Sequence, residues 1–199
     1  TATGSVTQLG NGDSKGIEWK KHFPGTGTSG RATAIQQTQD GGYISGGYSW
    51  LAKVDASGVT QWETSSLNGI SISHLQQTQD GNYILAGNIG GVSDLCIAKA
   101  DSIGQIIWMV NYGTPGGYES ANFIKECTDK GFIITGYNGG TFPSNATSDI
   151  WVLKTDSLGV LIWDQTYSGS LSEEGKSVDI CLDGGYIVSG QTNSSTGIG

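Results

Sequence analysis

Apolar and polar residues alternate in short runs along this chain, and the runs do not follow the spacing of a helix. Stretches such as ATAIQQT (32–38) and YILAG (83–87) are rich in aliphatic, β-branched and aromatic residues. They are bounded by glycine, aspartate and asparagine. Short apolar runs between such turn residues are typical of β-strands. We therefore predict an all-β protein built from many short strands.

One strand–turn–strand pattern occurs four times. Each copy has an aspartate, an aromatic residue three positions later, then isoleucine, and a glycine four positions after the aromatic. The copies are QTQDGGYISGG (37–47), QTQDGNYILAG (77–87), ECTDKGFIITG (126–136) and ICLDGGYIVSG (180–190). Asp-Gly pairs between apolar runs predict a two-residue hairpin turn, because these residues tolerate positive φ.

A second motif, Lys-x-Asp-x-x-Gly, follows three of these copies and contains Lys53, Lys99 and Lys154. A tryptophan stands four residues beyond the last glycine of each, at positions 62, 108 and 163. Trp19 follows Asp13–Gly16 in the same way, one residue closer. The period between these tryptophans is about 48 residues, which is the length of a four-stranded propeller blade.

We therefore predict one domain, residues 1–199, that forms a β-propeller of four four-stranded repeats. The repeats are expected at about 17–58, 59–104, 105–159 and 160–199. The last repeat lacks a lysine-containing strand, and the segment 5–16 offers one. The residues expected to close the ring, or to be donated to a neighbouring subunit, are Val6, Thr7, Gln8 and Leu9. A fragment of a longer propeller is a further alternative.

Composition limits the partners and the location. Charged residues make up 14% of the chain, and the net charge is −8 with a pI near 4.5. These values disfavour nucleic acid and anionic membranes as partners. No apolar run reaches the roughly 18 residues that a membrane span requires, so we expect no membrane insertion.

The cysteines and the sequons bear on the compartment. Cys96, Cys127 and Cys181 cannot all pair with one another and lack metal-type spacing, so we interpret them as buried thiols. Two N-x-S/T triplets make Asn145 and Asn193 candidate glycosylation sites, which would be used only in an exported protein.

The combined pattern of Trp, Asp-Gly-Gly-Tyr-Ile and Lys-x-Asp-x-x-Gly resembles the tandem repeats of many secreted and cell-surface proteins of bacteria and archaea, which are described as β-propeller-like. The resemblance extends from about Asp13 to Gly190. It implies an extracellular or cell-surface propeller with adhesive, surface-layer or binding roles. It does not imply a reaction.

The residues themselves also point away from catalysis. His22 and His74 lie in different repeats, and no nucleophile-elbow, zincin or phosphate-loop motif is present. We therefore predict no catalytic residues, no metal ligands and no cofactor, although Asp-rich turns could hold Ca²⁺ weakly.

Four acidic residues could in principle supply the carboxylate pair of a glycosidase, namely Glu119, Glu173, Glu174 and Asp179. We interpret them instead as solvated loop charges or as partners for the repeated lysines. Since the three lysines recur at one repeat position, we expect each to pair with a nearby carboxylate or carbonyl.

The aromatic residues fall into two groups. Tryptophans 19, 62, 108 and 163 recur at one repeat position and are predicted to pack between blades, while Trp50 and Trp151 are predicted to be core residues. The remaining aromatics, in or beside variable loops, are the candidates for ligand contact: Tyr48, Tyr112, Tyr118, Tyr137, Phe142 and Tyr167.

From these observations we predict a non-enzymatic extracellular structural or binding module, such as a surface scaffold or adhesin. Its expected partners are copies of itself or cell-surface glycans and proteins. Two alternatives stay open: a self-assembling filament or sheath subunit that donates its N-terminal strand, and a glycan-binding lectin or glycosidase with its site on the loop face.

Overall fold

The computed structural model describes residues 3–9, 17–24, 31–65, 67–90, 94–139 and 147–193. Every helix or strand assigned in these ranges is a β-strand, so the prediction of an all-β fold is confirmed. The strands form five antiparallel sheets that follow one another along the chain.

Two sheets at the ends of the chain have two strands each. Sheet 1 consists of β1 (Thr3–Leu9) and β2 (Ile17–Pro24). Sheet 5 consists of β15 (Glu173–Ile180) and β16 (Tyr186–Thr192).

The three sheets between them have four strands each, paired in chain order. Sheet 2 contains β3 (Ala32–Gln37), β4 (Tyr43–Gly47), β5 (Trp50–Val54) and β6 (Thr60–Thr64). Sheet 3 contains β7 (Ile70–Gln77), β8 (Tyr83–Ile89), β9 (Leu95–Ala100) and β10 (Ile106–Tyr112). Sheet 4 contains β11 (Tyr118–Glu126), β12 (Phe132–Gly139), β13 (Ser148–Thr155) and β14 (Leu161–Tyr167).

The sheets are offset by one strand from the predicted repeats. Each tryptophan strand was expected to open a repeat, but it is the last strand of its sheet and pairs with the preceding lysine strand. The physical reason is the Asp-x-x-Gly segment between them. It is itself a tight hairpin turn and therefore makes the two strands neighbours in one sheet.

The repeated hairpin turn has three loop residues where the sequence predicted two. In the first copy the Gly41 N–H donates to Thr38 O, and the Thr38 N–H donates to Gly42 O, each at 2.9 Å. Gly41 has φ of 81°, whereas Asp40 is not in the positive-φ region. This is the pattern of a type I turn followed by a left-handed residue. Only the third loop residue therefore needs positive φ, and Lys130 adopts it with φ of 67° in the third copy.

Adjacent sheets pack face to face, and a hydrophobic core fills each of the four gaps. Side chains alternate across a strand and so feed two cores. Phe132 and Ile134 of β12 lie in the core between sheets 3 and 4, whereas Ile133 lies in the core between sheets 4 and 5. This explains why the two central strands of each four-stranded sheet are largely buried on both faces.

The predicted packing of tryptophans between repeats is confirmed. Each tryptophan of a last strand contacts the aromatic residue that follows the turn in the next sheet. The pairs and their ring-centroid distances are Trp19–Tyr43 at 5.6 Å, Trp62–Tyr83 at 5.9 Å, Trp108–Phe132 at 6.1 Å and Trp163–Tyr186 at 5.8 Å. Trp50 and Trp151 are buried in cores, as predicted.

The first strands β3, β7, β11 and β15 contact one another in that order. Sheets 1 to 5 therefore form a row in which sheet 1 packs on sheet 2 and sheet 5 packs on sheet 4. Substantial contact between β15 and β3 is absent in the described part of the chain, and no ladder joins β16 to β1 there. The row is not closed on itself, and a complete propeller ring is not observed.

Candidate functional site

Each four-stranded sheet contains a lysine–aspartate ion pair in which the lysine is largely buried and the aspartate is about half exposed. Lys53 Nζ lies 2.8 Å from Asp40 Oδ2, and its side chain is 4% exposed. Lys99 and Lys154 pair in the same way with Asp80 at 2.6 Å and Asp129 at 2.8 Å. The prediction that these lysines pair with carboxylates is confirmed, but the partners are the aspartates of the hairpin turn.

The lysine pairs depress the pKa of the turn aspartates. The hydrogen bond from Lys53, followed by that from Thr38, lowers the pKa of Asp40 to about 2. The Lys154 hydrogen bond likewise lowers the pKa of Asp129. Because the same ion pair recurs in every four-stranded sheet, we interpret it as a contact that stabilises the hairpin turn. Each of these charges already has a partner of opposite charge within the fold.

The four acidic residues considered for a glycosidase site differ in their burial and in their hydrogen-bond partners. Glu119 and Glu173 are buried, so the interpretation of them as solvated charges is wrong. Glu173 Oε2 accepts from the Gly169 N–H at 2.8 Å, which ties a loop to the start of its strand. Glu174 pairs with Lys176, and Asp179 pairs with Lys125. None of the four pairs with the repeated lysines in the described ion pairs.

The aromatic ligand candidates also separate. Tyr48, Tyr118 and Tyr167 are exposed, whereas Tyr137 is half-buried. Tyr112 is half-buried and its hydroxyl donates to Gly159 O in sheet 4. Phe142 lies outside the described residues. Tyr112 and Tyr167 each stand four residues after the tryptophan of their strand. The contact with Gly159 gives Tyr112 a role in packing between sheets 3 and 4.

The remaining candidates are readily placed. Cys96 and Cys127 are buried free thiols, as predicted, and Cys181 is half-buried. His74 stacks on Phe123 with ring centroids 3.8 Å apart. Within the described ranges, no three His, Cys, Asp or Glu residues group as metal ligands. Asn193 is exposed just after β16, and Asn145 lies outside the described residues.

No helix in the part of the chain that the structure covers is both long and apolar enough to cross a membrane.

The two sheets at the ends of the described chain, sheets 1 and 5, have two strands each, whereas the three sheets between them have four. In sheets 2, 3 and 4 the lysine stands opposite the tryptophan of the last strand, in the pairs Lys53–Trp62, Lys99–Trp108 and Lys154–Trp163. In sheet 1, Gln8 stands opposite Trp19, and a register shift follows Gln8 as one follows Lys53 and Lys154. Sheet 1 therefore has the register of the last two strands of a complete sheet.

Sheet 5 has the register of the first two strands. Its bulge between Gly175 and Ser177 matches the bulges in the other first-strand pairs, between Ala32 and Ala34, Ile72 and His74, and Ala121 and Phe123. Sheet 1 thus has the register of the last two strands of a four-stranded sheet, and sheet 5 has that of the first two.

Exposure marks the edge at which sheet 5 is incomplete. Ile187 of β16 is 62% exposed, although the residues at the same position in the complete sheets, Ile44, Ile84 and Ile133, are fully buried. Asp183 occupies the place of Asp40 but has no lysine opposite it in the described ion pairs. The sequence contained one signal for this edge, because Ile187 aligns with three residues that are buried in the four-stranded sheets, yet it is exposed in sheet 5.

The strand 6–9 predicted for closure or donation lies in β1, where it pairs with β2. Its second edge carries no ladder to β16 in the described strands. The structure thus brings Val6, Thr7, Gln8 and Leu9 into a two-stranded sheet at one end of the row.

Comparison with known proteins gives no family-model match and no similar curated protein. Solved structures do show likeness. A protein of unknown function from Bacteroides caccae matches with a TM-score of 0.59 and 14% identity, over 100% of this chain and 72% of that one. Hydrazine synthase of Kuenenia stuttgartiensis matches with a TM-score of 0.65 and 15% identity, over 90% of this chain and 47% of that one.

A hypothetical protein from Leishmania major matches with a TM-score of 0.51 and 10% identity, over 80% of this chain and 61% of that one. At these identities the likeness concerns the fold alone. The chain is therefore similar in fold to a part of each of these three proteins.

Proposed function

We propose that this chain is a non-enzymatic structural and binding module of the cell surface or extracellular space, and that its copies join by pairing β1 of one with β16 of the next. The single observation that carries the proposal is the register of the two incomplete sheets. Sheet 1 supplies the last two strands of a four-stranded sheet, and sheet 5 supplies the first two.

The register of the complete sheets defines the pairing. Ile44 stands opposite Lys53, Ile84 opposite Lys99 and Ile133 opposite Lys154. By the same rule Ile187 stands opposite Gln8 of the joining strand. Strand addition of this kind pairs the N–H and C=O groups of two edge strands and gives a specific, directional contact.

A second copy is the occupant that we propose for the β16 edge. The chain's own β1 is tied to β2, whose Phe23 stacks on Trp50 at 5.6 Å and whose Trp19 packs on Tyr43, both in sheet 2. Sheet 5 packs on sheet 4, at the other end of the row. A head-to-tail contact between different surfaces produces a ring or a filament.

Three features support a structural role outside the cell. The recurring charges are already paired within the hairpins, which leaves them unavailable for chemistry. Asn193 of a sequon is exposed just beyond the end of β16. The sequence resemblance to secreted repeat proteins implies the same location.

Cysteine cross-linking tests the pairing. In a Cys181→Ser background, the single variants Gln8→Cys and Ile187→Cys are mixed and oxidised. We expect a disulfide-linked pair of one copy of each, because facing Cα atoms of an antiparallel ladder lie about 4.5–5.5 Å apart, within disulfide range. The control replaces Ile187→Cys with Gln191→Cys, four residues along β16 and roughly 13 Å out of register.

Light scattering of the unmodified protein should then give a mass that rises with concentration. A cross-link that forms only within the double variant Gln8→Cys/Ile187→Cys, with monomers throughout, would instead show that the chain closes on itself. Equal cross-linking in the Gln191→Cys control would overturn the proposed register.

A further inference from the structure

Glu119, near the start of β11, is a buried carboxylate with one unsatisfied oxygen. The residue is 1% exposed. Its Oε1 accepts from Thr114 Oγ1 at 3.0 Å and from the Thr114 N–H at 3.3 Å. Its Oε2 has no hydrogen-bond partner among the residues that the structure describes. A buried carboxylate oxygen without a partner is costly, so this oxygen needs a donor or a cation.

The equivalent residue of the next repeat shows that the orphan oxygen is not a property of the fold. Glu119 and Glu173 each stand ten residues before the turn aspartate of their sheet. Both oxygens of Glu173 are satisfied, Oε2 by the Gly169 N–H at 2.8 Å and Oε1 by Thr192 Oγ1 at 2.9 Å. The two buried glutamates differ in this one respect.

A second carboxylate faces the same space as Glu119 Oε2. A Cβ on Gly113 would stand 2.9 Å from Glu119 Oε2 and 3.0 Å from Asp94 Oδ1. The gap between the two oxygens therefore exists because residue 113 is a glycine. Two carboxylates brought together in a partly buried place repel each other, and a cation held between them removes that repulsion.

We propose that this gap is a calcium site in which Glu119 Oε2 and Asp94 Oδ1 are the side-chain ligands. Carboxylate oxygens are hard ligands that suit Ca²⁺, which completes six to eight positions with backbone carbonyls and water. Two carboxylates give a weak site, with a dissociation constant of about 10⁻⁴–10⁻³ M, in the range of extracellular modules. The turn aspartates Asp40, Asp80 and Asp129 are excluded as competitors because lysines occupy them.

The site is independent of the proposed strand pairing, because it lies between sheets 3 and 4 and does not involve β1 or β16. It would tie the start of β9 to the start of β11 and the loop before it. Calcium would therefore stabilise the packing of these two sheets.

The experiment is a CaCl₂ titration of the full chain, followed by its thermal midpoint, with Tb³⁺ luminescence sensitised by nearby tyrosines as a second readout. We expect a saturable rise of roughly 2–5 °C in the midpoint and a saturable Tb³⁺ signal that Ca²⁺ displaces. Both should be lost in Glu119→Gln and in Asp94→Asn. Both should persist in Glu173→Gln, the matched buried carboxylate with satisfied oxygens.

The proposal is overturned if the unmodified chain shows no saturable response up to about ten times the expected dissociation constant. It is equally overturned if either Glu119→Gln or Asp94→Asn, shown by circular dichroism to be folded, responds like the unmodified chain. Should Glu119→Gln fail to fold, the partly exposed Asp94→Asn decides the outcome alone.

Discussion

At the scale of single residues, the hydrogen bonds and ion pairs between the turn aspartates and their lysines recur in every four-stranded sheet. Lys53 Nζ donates to both oxygens of Asp40, to Val54 O at 3.1 Å and to Gln61 Oε1 at 3.0 Å. Burying an ammonium group costs free energy unless its N–H donors are hydrogen-bonded, and these acceptors provide that compensation. The hairpin turn and the central strand are therefore held together by one cation.

The first prediction is that Asp40→Asn destabilises the protein by about 1–2 kcal/mol at neutral pH, because Lys53 keeps its burial but loses its counter-charge. Solvent access to Asp40, which is 53% exposed, holds the effect at the lower end of the usual range. Asp183→Asn is the matched control, since Asp183 occupies the same turn without a lysine. Urea unfolding of both variants measures the difference.

The same pair should give a defined acid dependence. The pKa of Asp40 in the folded protein is about 2, below its ordinary value of 3.8. Its contribution to stability is thus complete above about pH 4 and is lost as the pH falls toward 2. The difference in the free energy of unfolding between the unmodified protein and Asp40→Asn should therefore decrease as the pH falls from about 4 to 2. A gap that stays constant from pH 5 to pH 2 would contradict the assignment.

At the scale of elements, three tryptophans, Trp19, Trp62 and Trp108, each pack on the next sheet at two points, an aromatic ring and a turn glycine. A Cβ on Gly104 would stand 2.5 Å from the Trp62 ring, and Gly58 and Gly159 meet Trp19 and Trp108 in the same way. The repeat therefore requires glycine here both for positive φ and for close approach. The sequence predicted that tryptophans pack between repeats, but the glycine contact became visible only once the sheets were placed.

We therefore predict that Gly104→Ala costs more than Gly81→Ala. Both glycines have positive φ, at 83° and 81°, so both variants lose about 1 kcal/mol from backbone strain. Gly81 has open space where a Cβ would stand, whereas at Gly104 the Cβ overlaps Trp62 and adds roughly 1–3 kcal/mol. Thermal unfolding with Trp fluorescence measures the loss, and equal losses in the two variants would refute the close-packing role of Gly104.

At the scale of the whole molecule, local signals in the sequence predicted the strands, the repeat and the recurring contacts, since these depend on residues within one period. The Asp-Gly turns, the repeated lysines and the repeated tryptophans all belong to this class. Whether the row of sheets closes depends on the angle between successive sheets, which no local motif encodes. The sequence did not predict the unpaired oxygen of Glu119 for a related reason. Asp94 comes near this oxygen only because two different sheets pack together.

The last prediction concerns how the ends of the row are joined. Gln8 holds the register position of the three lysines, and Asp183 holds that of their aspartates. Gln8→Lys should therefore recreate the missing ion pair when β1 meets β16, and should tighten association about three- to tenfold, equivalent to roughly 0.7–1.4 kcal/mol. Sedimentation or light scattering over a concentration series measures the change.

Adding Asp183→Asn to Gln8→Lys should return association to the level of the unmodified chain, because the new ammonium then lacks its partner. An increase that survives Asp183→Asn would mean that the lysine acts elsewhere and that β1 does not lie in this register on β16.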